Sequence, residues 1–147
     1  MRINTNYEDK FVESGLKKTK SRKAILDILT KSSQPISAEQ IFTMLKDDHI
    51  VIDISTVYRT LEAFVNIELV KKINLMDDDR MLFEYNNLDH HHYLICIGCR
   101  KIITIQSCPL GAYEEELQSK TDFSILGHKL YLYGYCSECQ NNHIDNK

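Results

Sequence analysis

The chain has 147 residues, enough for one domain or two small ones, and its 43% hydrophobic and 27% charged content is that of a globular protein. Uninterrupted apolar runs are only a few residues long, which excludes a helix of membrane-spanning apolar length. The formal net charge of −3 does not exclude nucleic acid, because KKTKSRK gathers Lys17, Lys18, Lys20, Arg22 and Lys23 without an acid, enough to contact phosphates. The stretch MRINTNYEDKFVESGLKKTK has no apolar core and no small-residue cleavage site, so we expect no signal peptide and a cytoplasmic protein without a membrane partner.

Three helices are expected first. SRKAILDILTK repeats Ala24, Ile25, Ile28 and Leu29 at helical spacing. QPISAEQIFTMLKDD starts a second helix at a capping box of Ser37 and Gln40, with Ala38, Ile41, Phe42 and Leu45 inward. DISTVYRTLEAFVN is a third, capped by Asp53 or Ser55 and turning Val57, Leu61, Phe64 and Val65 inward. LVKKINL and MLFEYNN, parted by MDDDR, form a hairpin with a charged turn. Three helices and a two-stranded wing make a winged helix-turn-helix. Its exposed N-terminal turn of the third helix carries Ser55, Thr56, Tyr58 and Arg59, where a recognition helix meets the major groove. Arg59 suits a guanine edge or a phosphate, and Tyr58 a thymine methyl or a phosphate.

The boundary falls in YNNLDH, giving domains 1–86 and 87–147. In the second domain HYLICIG and RKIITIQS are strands, CPLGAYEEELQSK is a helix with Pro109 in its first turn, and HKLYLYGYC is a strand with one covered face. The whole is therefore an α+β protein.

Five cysteines leave one over from any full pairing, which argues against a secreted disulfide framework. Four of them form two Cys-x-x-Cys pairs, Cys96 with Cys99 and Cys136 with Cys139. Two such turns brought together make a closed tetrahedral cage of thiolates, the chemistry of structural zinc. The histidines need a separate account. Side chains alternate along a strand, so His90 and His92 share a face while His91 points away. His128, at the start of another strand, is the natural remote partner of His90 and His92 in a second metal site.

STVYRTL, the histidine cluster, LICIGC and YGYCSEC together resemble the ferric uptake regulator family over roughly residues 10 to 140. That resemblance implies dimeric metalloregulators that repress genes when metal is bound, with an N-terminal winged-helix DNA-binding domain and a C-terminal α/β dimerisation domain. It aligns the four paired cysteines with the family's structural zinc ligands. Its inter-domain regulatory site is matched by Glu84 and His91, but Tyr93, Pro35 and Thr104 stand where further ligands are usual. The site within the dimerisation domain is matched by His90, His92 and His128. Gly111 stands in place of the usual acid, so Cys108 or Glu114 is the expected substitute. Three nitrogens and a thiolate suit zinc, and SCPL with the histidine run is similar to the zinc-responsive branch; Fe(II) and Mn(II) are the alternatives.

The expected function is a metal-dependent repressor, zinc-responsive, that binds an inverted-repeat operator in double-stranded DNA as a homodimer. An iron- or peroxide-responsive regulator is the alternative within the family. A zinc hydrolase is the alternative outside it, and it lacks a His-Glu-x-x-His or His-x-Glu signature. A thiol-responsive DNA binder using Cys108 is the third possibility.

Overall fold

A computed structural model describes residues 6–75, 79–87 and 90–145, with side chains for 10–75, 79–87 and 90–142. The chain divides into two compact units, Met1–Leu88 and Asp89–Lys147. Residues 76–78, in the expected wing turn, and residues 88 and 89, in the expected linker, lie outside the described residues.

The first unit opens with a helix that periodicity did not predict, α1 (Asn6–Ser14). Its anchor is Phe11, 5% exposed, which meets Phe64 edge-on with ring centroids 5.7 Å apart. Among the described side chains of α1, residues 10–14, only Phe11 is buried, too little apolar spacing to register as a helical stripe. Helix α2 (Lys20–Lys31) begins at Thr19, whose hydroxyl accepts the Arg22 N–H. It buries Ile25, Leu26 and Leu29, while Ala24 and Ile28 are only partly covered.

A two-residue strand, β1 (Ile36–Ser37), leads straight into α3 (Ala38–Asp47). The capping box is present in full, Ser37 Oγ taking the Gln40 N–H and Gln40 Oε1 taking the Ser37 N–H. Asp53, not Ser55, caps α4 (Ile54–Asn66), which buries Val57, Thr60, Leu61 and Phe64. Helices α3 and α4 each end with a residue in the left-handed region, His49 and Glu68, both at φ 60°. The next N–H of each turns back on its helix, Ile50 to the Leu45 carbonyl and Leu69 to the Phe64 carbonyl. His49 is therefore a chain-reversal position.

Strands β2 (Val70–Asn74) and β3 (Met81–Tyr85) pair antiparallel, as the hairpin pattern predicted. The wing is not two-stranded, however. Ile36 and Ser37 pair with Phe83 and Leu82, so the sheet runs β1-β3-β2. A two-residue strand has no periodicity of its own and exists only because β3 offers it an edge. Fourteen buried residues from Phe11 to Phe83 fuse these helices and strands around one core. The unit is a winged helix-turn-helix.

The second unit pairs β4 (His92–Cys96) antiparallel with β5 (Ile102–Ile105). Helix α5 (Gly111–Lys120) follows, then β6 (Tyr131–Gly134), which pairs parallel with β4 to give the order β5-β4-β6. Pro109 stands in a turn ahead of Leu110, the residue before α5, and so is not in the helix's first turn. His128, Lys129 and Leu130 are likewise outside regular structure, so the expected strand is shorter than its sequence pattern. The polar C-terminal stretch is a helix, α6 (Ser137–Asp145). Among the described residues no helix is long and apolar enough to cross a membrane.

Removing the Ser37 hydroxyl breaks one half of the capping box at the entry to α3. Ser37→Ala is expected to lower the stability of the first unit by about 1 kcal/mol, read as a lower urea midpoint in far-ultraviolet circular dichroism.

Candidate metal centres and nucleic-acid interface

Cys96 ends β4, Cys99 closes the turn that follows, Cys136 lies just after β6, and Cys139 sits in the first turn of α6. The parallel pairing of β4 with β6 aligns Cys96 with Gly134 and so brings the two pairs together. Their four sulfurs lie within 4.8 Å of one another. Cys99 Sγ and Cys136 Sγ are 3.8 Å apart, which is the edge of a tetrahedron with metal–sulfur bonds of about 2.3 Å, ~3.8 Å.

Backbone geometry prepares these thiols. Cys96 Sγ accepts the N–H groups of Cys136 at 3.3 Å and Cys99 at 3.5 Å. Those bonds pull its pKa down to about 6. Cys139 is pushed the other way, to about 12, by the neighbouring sulfur of Cys96 and then that of Cys136. The Cys96 thiolate is thus stabilised by the chain itself, whereas a cation beside Cys139 would be needed to ionise it. Gly98 makes the close packing possible, because a Cβ there would lie 2.8 Å from Cys139 Sγ.

The second cluster is His90, His92, Cys108 and His128, again within 4.8 Å. His128 Nε2 is its hub, 3.0 Å from the Nε2 atoms of both His90 and His92 and 3.3 Å from Cys108 Sγ. Cys108 Sγ is also 3.3 Å from His92 Nε2. Tetrahedral zinc would place such nitrogens ~3.3 Å apart and nitrogen and sulfur ~3.5 Å apart, so only small shifts separate the four donors from that geometry. His92 is 3% exposed. Burial, then the charges of His90, His128 and His91, hold its pKa below the ordinary histidine value. His91 points elsewhere, its Nε2 3.0 Å from the Tyr93 hydroxyl, as strand alternation requires.

Of the two expected substitutes for the missing acid, Cys108 joins the cluster and Glu114 does not. Glu114 Oε1 meets His128 on its other nitrogen, Nδ1. Neither cluster includes Glu84, on β3 of the first unit, or His91.

In the first unit the N-terminal turn of α4 is organised by Asp53. Its Oδ1 accepts from Thr56 N–H, Thr56 Oγ1 and Ser55 Oγ at 2.7–2.8 Å. These bonds, the Thr56 hydroxyl first, lower the Asp53 pKa to about 2. Arg59 in turn donates to Thr56 Oγ1 at 3.1 Å. Ser55, Tyr58 and Arg59 are exposed and Thr56 is half-buried. The Tyr58 hydroxyl bonds to Glu39 in the first turn of α3, a partner that sequence spacing did not flag. Lys17, Lys18 and Lys20 are exposed around the start of α2, while Arg22 is half-buried with its guanidinium donating to the Lys17 carbonyl.

Three comparisons bear on this arrangement. The model of the family described as "Ferric uptake regulator family" matches residues 13–133. A peroxide-responsive repressor of Staphylococcus aureus is 34% identical over 129 residues, spanning 88% of this chain and 86% of that one. The Vibrio cholerae ferric uptake regulator structure superposes with a TM-score of 0.77 at 30% identity, covering 89% of this chain and 100% of that one. The Helicobacter pylori ferric uptake regulator structure gives a TM-score of 0.80, covering 95% and 97% of the two chains. At 23% identity it speaks to the fold alone.

Because a methyl group on Gly98 would collide with Cys139 Sγ, Gly98→Ala is expected to reduce the tightly held metal that elemental analysis finds in the purified protein. Gly111→Ala, with open space around its Cβ, is expected to leave the metal content as in the wild type.

Proposed function

The chain belongs to the ferric uptake regulator family, and on that premise we propose that it is a zinc-responsive repressor acting in the cytoplasm. Family membership makes it a transcription regulator and not an enzyme, so the hydrolase alternative falls away. In this reading Cys96, Cys99, Cys136 and Cys139 hold a structural zinc. His90, His92, His128 and Cys108 hold the regulatory ion. The observation that carries the choice of zinc is the donor set of this second cluster, three imidazole nitrogens and a sulfur converging without a carboxylate. Fe(II) and Mn(II) favour more oxygen donors and more ligands, and a four-donor cluster with a thiolate favours zinc. An iron- or peroxide-responsive role is supported by what the relatives do, and it stands as the second reading.

When bound, the regulatory ion supplies the positive charge that lets four donors share one point. The chain's own residues do the rest. His90 and His92 bring the entry of β4, Cys108 the segment after β5, and His128 the segment before β6. Binding that fixes these segments favours one conformation of the dimer over others, and the preference is passed to DNA affinity as a population shift. An apolar row supports the dimer. Leu94, Ile103 and Leu132 are paired across β5-β4-β6, yet 39%, 48% and 47% exposed, an arrangement that a second copy would cover.

On the DNA, we assign Arg59, Tyr58, Ser55 and Thr56 to the major groove and Lys17, Lys18, Lys20 and Arg22 to phosphates, with two protomers matching an inverted repeat. The test uses a duplex recovered by binding-site selection in zinc. Anisotropy titrations are expected to show tight binding with zinc, weaker binding with Fe(II) or Mn(II), and loss after mild chelation. Elemental analysis is expected to find two zinc ions per protomer in the wild type and one in His92→Ala and Cys108→Ser. Equal DNA affinity under all metal conditions would refute the repressor mechanism, and tighter binding with Fe(II) would shift the assignment to iron.

A further inference from the structure

We infer that Glu114 is not a metal ligand but the residue that sets the tautomer and aim of His128, and thereby the affinity of the three-histidine, one-cysteine cluster for zinc. This rests on the reading of that cluster as the regulatory zinc site.

The inference starts from the position of His128. It lies in the extended segment ahead of β6, outside any strand ladder, so backbone pairing does not orient its ring. Yet its Nε2 is the atom nearest all the other donors, 3.0 Å from His90 and His92 and 3.3 Å from Cys108. Something else has to aim the ring. Glu114, in the first turn of α5, touches the opposite nitrogen, Nδ1.

The chemistry of that contact is one-directional. A carboxylate accepts, so a neutral ring that meets it at Nδ1 carries its hydrogen there and keeps its lone pair on Nε2. Without the carboxylate the two tautomers compete, and one of them presents N–H where a lone pair is needed. Glu114 therefore selects the binding tautomer before the ion arrives.

Charge supports the same assignment. Three neutral imidazoles and one thiolate cancel only half the charge of a divalent ion. The Glu114 carboxylate cancels the remainder from one imidazole away, in a region where both partners are substantially covered. Direct ligation is disfavoured by place: the carboxylate lies on the far edge of the ring and would have to abandon Nδ1 to reach the point enclosed by the four donors.

The test uses the full-length dimer with its cysteine cages filled, comparing wild type, Glu114→Gln and Glu114→Ala. Competition titration against a zinc chelator is expected to show Glu114→Ala weakened by about 10- to 100-fold. Glu114→Gln, whose amide oxygen still accepts from Nδ1 but carries no charge, is expected to recover part of that loss. One equivalent of Co(II) added to each protein is expected to give the same four-coordinate spectrum with a thiolate charge-transfer band.

Equal losses in the Gln and Ala variants would show that the acceptor on Nδ1 does not matter, and a five-coordinate wild-type spectrum that becomes four-coordinate in Glu114→Ala would make Glu114 a ligand; either result would overturn the inference. Wild-type affinity in Glu114→Ala would overturn it as well. If instead the wild type took up no second ion through His92 and Cys108, the reading of the cluster itself would fail, and this inference with it.

Discussion

Four nitrogen or sulfur lone pairs brought to one point repel one another unless protons or a cation lie between them. The second unit depends on that constraint. Its buried residues are few, chiefly Tyr93, Ile95 and Ile102 with His92 and Cys96, whereas the fourteen-residue core lies wholly in the first unit. A unit this small does not gain a large margin from burial alone, and small domains of this kind are commonly stapled by metal or disulfide. Here both ends of the central strand β4 run into donor clusters, histidines at its entry and cysteines at its exit. The two donor clusters gather the ends of the sheet's strands.

That placement connects folding to regulation. The cysteine cluster is built from turns bonded to their own backbone, with Cys96 receiving two N–H groups before any ion is considered. The histidine cluster draws on segments with less backbone support, since His128 and Cys108 both lie outside regular structure. An ion held by donors from such segments would order them, the coupling that the proposed sensing role requires.

The first unit solves a different problem, holding polar side chains ready on an exposed helix turn. Asp53 serves at once as helix cap and as the acceptor that orients Ser55 and Thr56, and Thr56 then receives Arg59. Glu39 does the same for Tyr58 from the neighbouring helix. Side chains restrained in this way lose less freedom when they engage a partner, so Asp53 and Glu39 preorganise this turn.

Much of this was legible in the sequence, because it rests on rules that act over a few residues. The capping box at Ser37 and Gln40, the helical stripe of α4, the Cys-x-x-Cys turns and the opposite facing of His91 are all of this kind. Elements that owe their existence to a distant neighbour were not legible. Helix α1 is held by Phe11 against Phe64, β1 by the edge of β3, and neither leaves a pattern in its own few residues. Nor could spacing decide which residue replaced the absent acid near Gly111. Cys108 and Glu114 are both near in sequence, and only the packing of α5 and the segment before β6 turned one inward and set the other behind His128. Local chemistry is written in short spacings, but the choice between two nearby donors depends on where separate segments meet in three dimensions.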